Sequence, residues 1–146
     1  GSAILLRIKG FIHRESGHCF FRTFFICPQL TEPSSVLLML DTGATTTTIL
    51  DGDCERLGLN CSSLSRTSKP TSIVGSVIYP HILPDVAFIF KDTRNTLHAI
   101  RLPLVEIIEQ TKDSPRPSFS LMGVDLIKKF KKLGYEYDEN KVFLEL

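Results

Sequence analysis

The chain has 146 residues, which suits one domain, and 42% of them are hydrophobic, enough to bury a core. Its 17 basic and 16 acidic residues give a formal net charge of +1, and the basic residues are scattered apart from Lys128-Lys129 and Lys131-Lys132. Nothing in that balance asks for nucleic acid or an anionic membrane, and no apolar run approaches the ~18 residues that span a bilayer.

Residues 3–8 are too short for the apolar core of a signal peptide, and no small-residue cleavage site follows them. Gly1-Ser2 has the look of a cloning scar, which leaves room for a removed targeting or membrane segment or a further domain. Residues 3–146 read as a single domain. The cysteines at 19, 27, 54 and 61 lack CxxC spacing, and no histidine completes a zinc pattern. Reduced thiols in an intracellular, cytoplasmic protein are expected, because a domain of this size does not need disulfide staples. Cys19 and Cys27 flank Phe20, Phe21, Phe24 and Phe25 and read as small core hydrophobes.

In chain order, residues 3–9 and 19–27 are apolar strands around a hairpin loop at His13–Gly17. After a break at Thr31–Ser35, residues 36–41 form a continuous apolar run, as in a strand buried on both faces. Residues 45–50 are β-branched and predict a second short strand. Asp51-Gly52-Asp53 offers a helix cap, and Cys54–Leu57 a brief helix stopped by Gly58. Residues 60–72 are loop-like. Residues 73–79 resemble a strand broken by one glycine, which suggests a hairpin tip. Val86–Phe90 and Leu97–Leu104 are strands joined by a polar turn, and 110–118 is a polar, proline-containing loop. Phe119–Met122 predicts a short buried strand. Apolar side chains at 124, 127 and 130 predict a helix over 124–132, with lysines in its last turn. Tyr135–Tyr137 and Val142–Leu146 are terminal strands.

The chemistry concentrates at Asp41-Thr42-Gly43-Ala44, directly after Val36-Leu37-Leu38-Met39-Leu40. A lone aspartate, with an unperturbed pKa of ~3.9, is a weak base for activating water. Two aspartates held ~3 Å apart share one proton, so one accepts a proton from water while the other donates to a peptide carbonyl. Gly43 permits a tight turn and close approach of substrate, and the Thr42 hydroxyl can both donate and accept. Neither Asp51-Gly52 nor Asp125-Leu126 repeats the loop, so a second aspartate has to come from another copy of the chain, as at a two-fold axis. Asp125 reads as a helix-start carboxylate. Thr47 and Thr48 read as strand formers on a half-buried strand, while Thr45 and Thr46 lie close enough to Asp41 to line a peptide cleft. His13, His18, His81 and His98 share no spacing, and neither a metal nor another cofactor is expected.

The loop Asp41-Thr42-Gly43-Ala44 after Leu38-Met39-Leu40 resembles the active-site loop of retropepsin-like aspartic proteases. About 80 residues later, Leu121-Met122-Gly123, followed by Val124-Asp125-Leu126-Ile127, looks like the apolar pair and glycine that precede the family's C-terminal helix. The likeness covers roughly residues 15–146 and is nearer the cellular and prokaryotic single-domain members than the retroviral enzymes. Among the cellular members is the protease domain of the eukaryotic DNA-damage-inducible ubiquitin shuttles. The resemblance implies an all-β closed barrel with one short C-terminal helix, acting as a homodimeric aspartic endopeptidase on an extended polypeptide. Asp41 would be the catalytic carboxylate, Thr42 an interchain grip beneath the pair, and Gly43 a carbonyl acceptor for the substrate backbone. Ile73, Val74, Gly75, Ser76 and Val77 would form a flap with Gly75 near its tip. Leu121, Met122 and Gly123 would pack beneath the loop, and the C-terminal strand would join a dimer sheet. The sequence departs from the pattern in having a single flap glycine, and Val124 where retroviral members often carry arginine. The runner-up reading is a dimeric peptide-binding scaffold of the same fold with negligible turnover.

Overall fold

The computed structural model describes residues 5–67, 69–73, 76–109 and 119–146, with only the backbone of 71–73 and 76. The expected loop at 110–118 and the expected flap tip at Val74 and Gly75 lie outside the described residues.

Two early strands, β1 (Arg7–Lys9) and β2 (Phe11–Ile12), lead into the long β3 (Cys19–Ile26) and β4 (Ser34–Leu40). A short β5 (Thr48–Leu50) runs directly into α1 (Asp51–Leu57), and a 3-10 turn follows at Cys61–Ser63. The hairpin strands β6 (Thr71–Ile73) and β7 (Ser76–Ile78) precede the longest pair, β8 (His81–Lys91) and β9 (Leu97–Ile108). The chain ends with β10 (Ser120–Met122), α2 (Val124–Ile127), β11 (Lys132–Glu136) and β12 (Lys141–Glu145).

Six strands, in the order β3-β4-β10-β5-β9-β8, close into a barrel when β8 pairs back onto β3 through Phe24↔Ile89, Phe25↔Phe88 and Ile26↔Ala87. The strand period of two sends alternate side chains inward. Phe21, Phe25, Leu38, Ile49, Phe88, Phe90, Val105 and Ile107 are all fully buried there. Each such side chain contributes about 1.5–3 kcal/mol on burial. Phe25 and Phe88 pack with ring centroids 5.3 Å apart. A separate three-stranded sheet, β1-β12-β11, lies beside the barrel, and β6 and β7 pair only with each other.

Several sequence expectations are corrected. Residues 36–41 are not buried on both faces: Val36 and Leu38 point into the barrel, while Leu37 and Met39 are half-exposed on its outer wall. The second strand begins at Thr48, not 45, because 45–47 belong to the connecting loop. The helix over 124–132 is only four residues long. Lys129 and Phe130 donate their N–H groups to carbonyls three residues back, and the Lys131 N–H donates to Glu145 O, so the chain leaves the helix for β11. Phe130 is buried from this turn, its ring edge-on to Phe90. The longer helix is α1, where a brief helix over Cys54–Leu57 was expected. It begins at Asp51, without a side-chain cap, and ends at Gly58, whose φ of 77° closes it.

Cys54 and Cys61 form a disulfide, where four thiols were expected, because Gly58 turns the chain back so that the 3-10 turn lies against α1. Cys19 and Cys27 are free and buried, and burial pushes both thiols up. The C-terminal strand β12 is flanked by β1 and β11 within the same chain, so it has no free edge to give a dimer sheet. Among the described residues no helix is long and apolar enough to cross a membrane.

Candidate active site

The site is set by how β10 threads between β4 and β5. It runs parallel to β4, with Leu38↔Ser120, Met39↔Leu121 and Leu40↔Met122 in register, and meets β5 antiparallel at Leu121↔Thr48. Asp41 and Gly123 therefore emerge side by side, each one residue beyond the end of its strand. The apolar run before Asp41 needs a partner on both edges, and β3 and β10 supply them.

The loop 41–47 is stitched to the chain that follows β10. The Asp41 N–H donates to Met122 O at 3.0 Å, the Val124 N–H to Ala44 O at 2.8 Å, and the Asp125 N–H to Thr45 O at 3.2 Å. Within the loop, Ala44 N–H donates to Asp41 O at 3.1 Å, and Gly43 N–H to the Asp41 carboxylate Oδ1 at 2.9 Å. Gly123 is required by proximity. A Cβ there would lie 2.6 Å from Thr46 C and 2.8 Å from both Thr46 O and Thr47 N.

Asp41 is half-buried, whereas Thr42, Gly43 and Thr45 are exposed and Ala44 and Thr46 are half-buried. Met122 and Gly123 are buried beside the loop, while Leu121 faces the outer wall, half-exposed. Ile73 and Ser76 pair in the hairpin, and Val77, paired with Ser72, is 65% exposed. The structure thus brings 41–46 and 121–123 together and sets Ile73, Ser76 and Val77 on a separate two-stranded sheet.

Four residues to which sequence reasoning gave no part in the site support this arrangement. Thr47 and Thr48 are buried rather than half-buried. The Thr47 hydroxyl donates to Asp125 Oδ1 at 2.7 Å and accepts from Gly123 N–H at 3.1 Å. Ser120 is also fully buried, donating to Asp53 Oδ2 at 2.5 Å and accepting from Leu50 N–H at 3.1 Å. It thereby ties β10 to β5 and α1. Glu106 joins the same region through its N–H to Thr47 O at 3.1 Å. Its carboxyl is pushed up, first by burial and then by the nearby charge of Asp125. No sequence motif marks these residues; their partners lie some 70 positions away.

Among the described residues, no group of three or more His, Cys, Asp or Glu side chains could hold a metal ion. His81 and His98 each pair with one carboxylate, Glu109 at 2.6 Å and Asp92 at 2.7 Å.

No protein-family model and no curated protein matches the sequence. Among solved structures, the chain is similar to the crystal structure of a retropepsin-like aspartic protease from Rickettsia conorii. The TM-score is 0.60 at 19% identity, over 99% of this chain and 94% of that one. At that identity the likeness concerns the fold, and the closed six-stranded barrel is of the retropepsin-like type.

Proposed function

We propose that the chain is an aspartic endopeptidase whose catalytic pair forms from Asp41 of two copies. The observation that carries this reading is the placement of the Asp41-Thr42-Gly43 loop. It stands at the open end of β4, held against Gly123, in a retropepsin-like barrel that contains one such loop. A single carboxylate there supplies half of an acid–base pair. Thr42 and Gly43 are exposed in the single chain, where a second copy would cover them.

In that dimer the two Asp41 carboxyls share one proton and titrate as a unit. The ionised member takes a proton from water, whose oxygen attacks the peptide carbonyl carbon. The protonated member donates to the carbonyl oxygen. Collapse of the tetrahedral species returns a proton to the departing amine and restores the pair. The substrate lies extended, hydrogen-bonded through its main chain, with the 73–77 hairpin closing over it. The half-exposed side chains of Met39 and Leu121, paired in register two residues before Asp41 and Gly123, favour apolar side chains near the scissile bond.

The test is cleavage of an unfolded protein or peptide library from about pH 3 to 7, with Asp41→Asn alongside. Turnover that vanishes in the variant is the expected result. Equal turnover by the variant removes Asp41 from catalysis, and peptide binding by a folded wild type without cleavage points instead to a binding scaffold.

A further inference from the structure

We infer that Thr47 and Asp125 are a positioning pair that holds the Asp41 loop in register with its barrel and is needed for turnover although neither residue touches substrate. The inference rests on the protease reading for its kinetic consequence, not for its geometry.

The loop between β4 and β5 has no regular structure, so its shape depends on cross-links. Four of these are backbone bonds, open to almost any sequence. The side-chain links come from Thr47 and Asp125. Asp125 Oδ1 accepts three N–H or O–H groups: Thr47 N at 2.9 Å, Thr47 Oγ1 at 2.7 Å and Leu126 N at 2.8 Å. Because the Thr47 hydroxyl spends its proton on Asp125, a lone pair faces the Gly123 N–H. Thr47 is fully buried, so removing its hydroxyl strands the Gly123 N–H away from water and takes one of three donors from Asp125 Oδ1.

The link reaches Asp41 through two residues. Gly123 adjoins Met122, and Met122 O receives the Asp41 N–H. A shift of 122–123 against Thr47 therefore moves the carboxylate itself. Two carboxylates that must meet at ~3 Å tolerate little of that.

The test combines steady-state kinetics with amide hydrogen exchange on Thr47→Val, Asp125→Ala and Thr47→Ser, at a temperature where circular dichroism shows each folded. Thr47→Val and Asp125→Ala, which remove the hydroxyl and its acceptor, should lower kcat roughly 10–100-fold with KM changed by less than about threefold. Thr47→Ser, which keeps the hydroxyl, should return kcat to within about threefold of wild type. Exchange at the Gly43 and Ala44 amides should quicken in the first two variants while the β8–β9 ladder is unchanged. A folded Thr47→Val with wild-type kcat and unaltered Gly43 exchange overturns the inference, as does exchange that quickens evenly around the barrel. If Thr47→Val does not fold, Asp125→Ala, at a half-buried position, decides by the same two readouts. If the wild type cleaves nothing, the protease reading fails, and the exchange pattern still decides whether the pair positions the loop.

Discussion

The Asp41 loop and the β6–β7 hairpin satisfy their backbones in opposite ways. Residues 41–47 draw their bonds from elsewhere in the barrel: Met122 O, Val124 N–H, Asp125 and Gly123 N–H all come from the far end of the sequence. The hairpin bonds to itself, through Thr71↔Ile78, Ser72↔Val77 and Ile73↔Ser76. It joins the rest at its base, where Thr67 N–H donates to Pro80 O and Ile82 N–H to Ser65 O. His81 reinforces that base, its ring between Leu64 O and Glu109. A two-stranded hairpin is marginally stable by itself. It can hinge at its base without breaking a barrel ladder, whereas the loop cannot move without doing so. The difference suits the proposed division into a fixed acid and an adjustable cover, and each prediction below breaks one side of it.

The largest effect belongs to the fixed side. Asp41→Asn should lower peptide turnover roughly 10²–10⁴-fold with little change in thermal midpoint, since Oδ1 of Asn still accepts the Gly43 N–H. Comparing initial rates with unfolding curves checks both halves. Next comes Gly123→Ala, whose new methyl group would press on backbone atoms of Thr46 and Thr47 that cannot simply rotate away. A loss of about 1–3 kcal/mol in chemical denaturation, with turnover falling further than stability alone explains, is the expected outcome. Wild-type stability and rate would mean that β10 and the loop are not locked together.

Glu106 tests the electrostatics beneath the loop. Its carboxyl sits above its ordinary value of 4.5 in the folded chain, through burial and then Asp125. The folded state therefore holds this proton more tightly than the unfolded chain. The contribution is complete below the ordinary value and is lost as pH rises through the raised one. Glu106→Gln should be spared that loss, so its advantage over wild type grows between about pH 4 and pH 7. Urea midpoints across that range measure it, and parallel profiles for the two proteins would contradict it. The smallest stability effect is expected on the adjustable side. Val77 is mostly exposed, so Val77→Ser should shift stability by less than about 0.5 kcal/mol. It should nevertheless raise KM several-fold if the hairpin covers substrate. An unchanged KM would separate the hairpin from binding.

How much of this was legible in the sequence follows from how local each signal is. Leu38–Gly43 announces itself because an apolar run, a carboxylate and a turn residue are contiguous. The hairpin around residues 73–78 is legible for the same reason. Threading of β10 between β4 and β5 is a long-range event, and Leu121-Met122-Gly123 pointed to it only through resemblance to a family. The four threonines at 45–48 are chemically identical along the chain. That Thr47 is sealed beside Asp125 while Thr45 is exposed depends on a strand arriving some 78 residues later. The helical spacing at 124, 127 and 130 misled because Phe130 is buried from a turn, with β12 capturing the next residue. Pairing of β12 with β1 is equally invisible, since both read as ordinary terminal strands.

The central claim is that one Asp41 is half a site, and mixed dimers test it most directly. Wild-type protein at fixed concentration is titrated with Asp41→Asn and allowed to exchange subunits while peptide cleavage is followed. The account predicts that activity falls as the variant captures wild-type chains into pairs with a single aspartate. Activity that stays constant however much variant is added would show that each chain works alone.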